Sequence, residues 1–371
     1  MNPTNPTNPK KDERFMRIAL DLAREGGGDV NPNPLVGAIV VAGNEIIGQG
    51  YHREFGGPHA EVFALEQAGD AARGATLYVT LEPCAHHGKR PPCTERIIEA
   101  GIARVVIACH DPNPLVNGAG VAALHCAGIA VTNGILDQDA RKMNEIFFKF
   151  ITTKIPFVQL KLATSLDGKI ATRTSDSQWI SGEASRIETH RLRRRFAAIL
   201  VGLGTVVVDD PQLTVRHVSG KDPIRIVLDG RGQIPLTAKL LRDDGRTIIT
   251  AATMSEEKAK SIHSQGADVW RLPGEGDAVD LHALLQRLGE EGIDSLLIEG
   301  GGETAAAFLE NGLIDKLSLF IAPILIGGRT AIPAIGGIGV DRIAEAIRPQ
   351  RVEVEQIGAD LLITGYFDRD P

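Results

Sequence analysis

Aromatic residues make up only 4% of the 371-residue chain, so core volume must come mostly from Leu, Ile, Val and Ala. Cysteine is scarce too: Cys84, Cys93, Cys109 and Cys126 are far too few for a disulfide scaffold. Two of them fall near a histidine in a metal-like pattern, which suits a reducing compartment. No apolar run reaches the length of a membrane span. Excess positive charge is missing as well. A formal net charge of -7 argues against a general nucleic-acid or membrane-surface binder. The opening MNPTNPTNPKKDERF has no apolar stretch after its charges, so it is not read as a secretory signal. Its Asn-Pro-Thr repeat reads as a disordered lead-in over residues 1–12. A cytoplasmic protein with neither nucleic acid nor membrane as partner is expected.

What is present is ordinary globular material, 43% hydrophobic and 23% charged, in a length that accommodates two domains. Phe15, Ile18, Ala19, Leu22 and Ala23 have helical spacing, and Gly26-Gly27-Gly28 ends that helix. Leu35–Val41 and Glu45–His52, separated by Gly43-Asn44, predict a hairpin. A helix from His59, a strand over Ala75–Leu81, a helix over Thr94–Ala100 and a strand over Val105–Ala108 follow, which together predict a three-layer α/β domain. A boundary is expected near Pro156, dividing residues 13–154 from 155–371. Beyond it, strands at Phe157–Leu162, Ala197–Val201, Ile224–Leu228, Thr247–Ala251, Ser295–Glu299 and Lys316–Ala322 alternate with helices at Glu256–Gln265, Asp280–Glu290 and Glu303–Asn311. The expectation is a second α/β domain of mixed sheet direction.

The sharpest chemistry lies in the first domain. His59-Ala60-Glu61 is followed by Pro83-Cys84 and by Cys93. One imidazole and two thiolates close three corners of a zinc tetrahedron and leave the fourth for water. Glu61, two residues after the histidine, is placed to move that water's proton rather than to bind metal. The cysteines are eight residues apart, unlike the two-residue spacer of the common zinc-deaminase signature. Each part alone has a plainer reading, a surface helix for His-x-Glu and a core position for a lone cysteine. His86 and His87, in the spacer, are left outside the first coordination sphere.

In the second half, Leu296–Glu299 runs through Gly300-Gly301-Gly302 into a helix, which would let a pyrophosphate approach backbone amides at a helix N-terminus. This is not the Rossmann G-x-G-x-x-G, and a tight strand-to-helix turn is the commoner meaning. Likewise Arg191, Arg193, Arg194 and Arg195 read either as a solvated helix face or as a source of one bidentate phosphate ligand.

The motifs H-A-E, T-L-E-P-C-A-H-H-G-K-R-P-P-C, N-P-N-P-L-V-G-A, G-Y-H and D-P-N-P-L-V-N-G-A-G resemble the bifunctional riboflavin-biosynthesis deaminase/reductase family, as do S-L-D-G-K-I-A, S-Q-W-I, D-D-P-x-L-T-V-R and E-G-G further on. The resemblance covers almost the whole chain beyond the first dozen residues. Arg90 departs from it, standing where the family usually has threonine. The resemblance implies a cytidine-deaminase-like domain followed by a dihydrofolate-reductase-like α/β domain, with zinc and NADPH as cofactors. It implies His59, Cys84 and Cys93 as ligands, Glu61 as proton shuttle, and Asn33, His52 and Lys89 as contacts to a phosphoribosyl pyrimidine. In the second domain it places Ala163, Trp179, Thr205, Asp209 and the stretch Gly301, Gly302, Glu303, Thr304, Ala305, Ala306 and Ala307 at the cofactor. It places Ser177, Arg193, Leu213, Arg216 and Glu299 at the substrate, with Lys161 near the reacting sugar. Lys161 or Glu299 would serve the proton chemistry of hydride transfer. A homo-oligomer is expected. Two other readings are weaker: a nucleic-acid deaminase, opposed by the acidic balance, and a structural zinc module, which would want a fourth protein ligand.

Overall fold

The computed structural model describes residues 9–85, 91–114, 116–242 and 245–367. The chain divides into two compact units, Met1–Lys154 and Ile155–Pro371.

The first unit runs α1 (Pro9–Arg24), β1 (Gly37–Ala42), β2 (Glu45–Tyr51), α2 (Ala60–Ala68), β3 (Thr76–Leu81), α3 (Cys93–Glu99), β4 (Arg104–Cys109), α4 (Ala119–Cys126), β5 (Ala130–Asn133), α5 (Asp137–Met143) and α6 (Glu145–Thr153). Its strands form one sheet in the order β2-β1-β3-β4-β5. β1 is antiparallel to both neighbours, and β3, β4 and β5 are parallel. Alternation along the hairpin puts a helix on each face. Gly37 of β1 lies against Ala19 of α1, whereas Gly48 of β2, paired with Val40, lies against Ala64 of α2. The core between these layers is aliphatic, with Phe15, Tyr78 and Phe147 as its few rings. One ion pair is set into it. Asp12 of α1 accepts from both terminal nitrogens of Arg104 on β4 at 3.0 and 2.9 Å and from the Tyr78 hydroxyl at 2.8 Å.

The second unit comprises β6 (Phe157–Ser165), β7 (Lys169–Ala171), α7 (Glu183–Arg195), β8 (Ala198–Gly202), α8 (Leu203–Asp209), β9 (Ile224–Leu228), β10 (Thr247–Ala251), α9 (Glu256–His263), β11 (Asp268–Arg271), α10 (Leu281–Glu290), β12 (Ser295–Ile298), α11 (Gly302–Glu310), β13 (Lys316–Ala322), β14 (Ile332–Pro333), β15 (Arg351–Ile357) and β16 (Asp360–Tyr366). Nine strands form one sheet in the order β11-β10-β9-β8-β12-β6-β13-β16-β15. The run from β11 to β13 is parallel, and β16 and β15 add antiparallel pairs at one side. The mixed direction expected from the sequence is therefore present. Val158, Leu160, Leu200, Leu296 and Ile298 point to one face, where Leu284, Leu285, Leu288 and Phe308 of α10 and α11 cover them. The opposite face carries Gln159, Lys161 and Ala163 on β6, and it leads to the site described next.

Among the described residues no helix is long and apolar enough to cross a membrane.

Candidate functional site

In the first unit, three separate element ends deliver the metal-type ligands. His59 is the N-cap of α2, Cys84 follows the end of β3, and Cys93 is the first residue of α3 after Pro91-Pro92. Proline before a helix start is favourable because its missing N–H would have no intrahelical partner. His59 Nδ1 lies 3.1 Å from Cys93 Sγ and 3.6 Å from Cys84 Sγ, and the three donor atoms fall within 4.8 Å of one another. Zinc bonds of about 2.0–2.3 Å place tetrahedral ligands roughly 3.5 Å apart, so this donor set fits the ion in both chemistry and size.

A second observation agrees with it. Glu61, in the first turn of α2, is buried, and its Oε2 has no hydrogen-bonding partner in the protein. A buried carboxylate oxygen is costly unless something donates to it, which a water in the fourth zinc position would do. Burial raises the Glu61 carboxyl above its ordinary value, against the opposing influence of His59. The two thiols act as a pair. The hydrogen bond from Cys93 lowers the Cys84 thiol to about 4, and that same bond, together with burial, raises Cys93. A divalent cation is the natural replacement for the proton they share.

Asn33 and His52 lie beside this cluster. The ring of His52 meets that of His59 edge-on, with centroids 5.7 Å apart. His52 Nδ1 donates to the Pro58 carbonyl at 2.9 Å, which leaves Nε2 to accept from Asn33 Nδ2 at 3.1 Å. Burial depresses the His52 pKa. The loop carrying Asn33 is held by Asn144, whose side-chain amide bonds both the N–H and the carbonyl of Leu35 at 2.8 and 2.9 Å. Lys89 and Arg90 lie outside the described residues, as do His86 and His87.

In the second unit, the carboxyl ends of β6, β8 and β12 open on a cavity of about 670 Å³. Such a strand-end crevice is where open α/β sheets bind ligands. It brings together Lys161, Ala163, Ser177, Trp179 and Arg193 with Thr205, Asp209, Leu213, Arg216, Glu299 and Gly301. Of the other stretch residues, Glu303, Thr304 and Ala307 line a neighbouring depression of about 770 Å³. Gly302, Ala305 and Ala306 are buried, because helical periodicity turns them from the surface.

Charged groups meet at the cavity floor. Arg193 of α7 does not present an unoccupied fork. Its Nε and Nη2 donate to Glu299 Oε1 and Oε2 at 2.7 and 2.9 Å, and Nη1 donates to the Thr214 carbonyl at 3.0 Å. Burial works against the Glu299 charge, yet Arg193 and Lys161 outweigh it and hold the carboxyl below its ordinary value. Lys161 is partly buried at the cavity wall, and burial lowers its ammonium pKa although Glu299 opposes the fall. The two carry opposite shifts: Glu299 is held toward its charged form, and Lys161 is pushed toward its neutral one. Ser177 Oγ donates to Asp209 at 3.2 Å, tying two further positions together.

The sequence reading missed His190 and Arg186, which line the same cavity. His190 Nδ1 accepts from the Arg216 N–H at 3.0 Å and its ring meets His217 at 4.6 Å between centroids, while burial and the nearby Arg193 lower its pKa to about 4. A signal was available: Arg186, His190 and Arg193 stand four and three apart, on one helix face.

The comparisons with known proteins bear on both units. The cytidine and deoxycytidylate deaminase zinc-binding region family matches residues 9–109, and the RibD C-terminal domain family matches residues 156–363. The chain is 46% identical over 359 residues to riboflavin biosynthesis protein RibD of Aquifex aeolicus (strain VF5), covering 96% of this chain and 98% of that protein. It is 38% identical over 371 residues to the protein of that name from Escherichia coli (strain K12), covering 95% and 98%. Among solved structures, Acinetobacter baumannii RibD, form 1, superposes with a TM-score of 0.86 at 39% identity over 97% of this chain and 99% of that one. The Thermotoga maritima diaminohydroxyphosphoribosylaminopyrimidine deaminase/5-amino-6-(5-phosphoribosylamino)uracil reductase gives a TM-score of 0.85 at 37% identity, over 96% and 99%.

Proposed function

Because the chain belongs to the RibD family of bifunctional deaminase/reductases of riboflavin biosynthesis, we propose a division of its residues between the two reactions. Its cytidine-deaminase-like unit is the zinc-dependent deaminase, and its dihydrofolate-reductase-like unit is the NADPH-dependent reductase. The substrates we assign are a diaminopyrimidinone ribosyl phosphate for the first and the resulting 5-amino-6-(5-phosphoribosylamino)uracil for the second, reduced to the ribityl compound.

In the deaminase, His59 Nδ1, Cys84 Sγ and Cys93 Sγ would hold zinc, which when bound would supply a water acidified to a pKa of about 7. Glu61 would accept one proton at Oε2 from the attacking water and pass it to the ring nitrogen, then take the second proton from the hydroxyl newly bonded to the ring carbon and pass it to the amine as the C–N bond breaks and ammonia leaves. Asn33, with Nδ2 spent on His52, turns its Oδ1 toward an exocyclic amine of the pyrimidine. Lys89 pairs with the substrate phosphate.

In the reductase, the Gly300-Gly301 turn and the start of α11 would hold the NADPH pyrophosphate. Ala163, Trp179, Thr205 and Asp209 complete that side, and the cofactor supplies hydride to the sugar carbon. Lys161 Nζ gives a proton to the sugar oxygen as charge grows on it. Glu299 sustains the Lys161 charge and aligns Arg193. Arg216, Ser177 and Leu213 hold the phosphoribosyl group.

The observation that carries this reading is the ligand cluster beside the unpartnered Glu61 oxygen. Zinc analysis should give one ion per unmodified chain. Glu61→Gln should keep the metal, lose about 10²–10⁴-fold in ammonia release, and still oxidise NADPH on substrate already deaminated. Ammonia release at the parental rate would remove Glu61 from its role.

A homo-oligomer accords with β15, an edge strand whose Val352 and Val354 are 52% and 62% exposed, and sedimentation analysis of the full chain decides it. The four free cysteines accord with a cytoplasmic location.

A further inference from the structure

The segment that brings Cys84 to the zinc cluster is anchored by a residue outside the cluster. Glu82 lies just past β3, and its side chain is wholly buried. Oε1 accepts from the Gly120 and Val121 N–H groups at 3.0 and 3.2 Å. Oε2 accepts from Gly118 N–H at 3.1 Å, and His110 Nδ1 lies 3.1 Å from it. The carboxylate therefore occupies the donors that α4 leaves unpaired at its start. The approach is close: a Cβ on Gly120 would sit 2.1 Å from the Pro83 carbonyl oxygen, so α4 presses on the peptide that joins Glu82 to Cys84. On the other side, the Cys84 carbonyl accepts from the N–H and hydroxyl of Thr94, both at 3.2 Å, and the Cys93 N–H points at Cys84 Sγ at 3.4 Å.

We propose that Glu82 is a positioning residue for the zinc site, holding Pro83–Cys84 on α4 so that the thiolate keeps its place against His59 and Cys93. The proposal rests on the reading of those three residues as zinc ligands. A group that only tied β3 to α4 would contribute to stability and leave the metal untouched. A group that fixes a ligand's backbone sets how readily the metal leaves, and supporting residues of this kind typically change metal affinity 10–100-fold.

The test uses the full zinc-loaded chain and two variants. Glu82→Gln keeps the volume but turns an NH2 toward backbone donors. His110→Ala removes one half-exposed donor and leaves the core intact. Zinc transfer to a competing chelator should be about 10–100-fold faster in Glu82→Gln and a few-fold faster in His110→Ala. Cobalt-substituted Glu82→Gln should show shifted thiolate and d–d absorption, and deaminase kcat should fall while KM stays within about twofold. Parental transfer rates and spectra in both variants, whatever the loss of thermal stability, would overturn the proposal. If Glu82→Gln fails to fold, a parental transfer rate in His110→Ala overturns it alone. An unmodified chain that carries no zinc would instead overturn the ligand reading, and this proposal with it.

Discussion

The buried charges on the reductase floor offer the most informative perturbation. In Glu299→Gln, the carboxylate that accepts from Arg193 at 2.7 and 2.9 Å becomes a neutral amide of nearly the same shape. Arg193 and Lys161 would then face each other with no anion between them. Breaking a buried ion pair from one side typically costs about 3–5 kcal/mol, and glutamine, which keeps one acceptor, should fall near the lower figure. Catalysis should suffer separately. A hydrogen bond or contact to a charged partner is worth about 1.5–3 kcal/mol, which corresponds to roughly 10–100-fold in kcat if the transition state bears it. The sign of the pH effect follows from the groups present. Burial lowers the Lys161 pKa and Glu299 opposes that fall, so removing Glu299 lowers it further. If protonated Lys161 is the active form, reductase activity must begin to decline at a lower pH in the variant. Steady-state NADPH oxidation across pH, with deaminated substrate supplied, measures this. Ammonia release by the same preparation serves as the control, because Glu299 belongs to the other unit. A folded variant with an unmoved pH limb and kcat within twofold would refute the assignment of Lys161 as proton donor.

Asp12→Ala should cost the first unit about 3–5 kcal/mol by leaving Arg104 buried without its anion, and calorimetry should place its transition roughly 10 °C lower. A fall below about 2 °C would show that solvent already compensates the pair. Asp294 carries the opposite sign: burial raises its carboxyl to about 6, so the folded state binds the proton more tightly than the unfolded chain. Stability of the second unit must then fall as pH rises from about 4 to 6, by up to ~3 kcal/mol. Asp294→Asn should flatten that part of the denaturation-midpoint profile, and an unchanged slope would exclude Asp294 as its source.

What could be read from the sequence was local or repetitive. The hairpin around Gly43-Asn44, the strand over Lys316–Ala322 and the glycine run before α11 are each specified within about ten residues, and the structure shows them there. The His-x-Glu and two-cysteine pattern was legible because zinc chemistry restricts which side chains serve. Helix α7 was harder. Its buried residues are Ser185, Thr189 and His190, so it has no apolar stripe for periodicity to detect. The engagement of Arg193 by Glu299 joins positions 106 apart, and no motif announces it. Both line the cavity where a substrate contact is expected, and the sequence gives no sign that they also bond one another. Similarly, the sequence does not show which members of the stretch from Gly301 to Ala307 face a ligand, since the helix buries Gly302, Ala305 and Ala306 and leaves the others outward. The β15–β16 hairpin was legible in the alternation Val352-Glu353-Val354-Glu355 but was not drawn from it.

The two separate cores have a genetic consequence. Among the described residues, none that builds the core between α1 and α2 contributes to the core beneath α10 and α11. A lesion that collapses one need not spread to the other. Null alleles of the locus should therefore sort into two complementation groups, divided near Lys154. A cell carrying one allele from each group would grow without added flavin, its two damaged polypeptides supplying successive steps in trans.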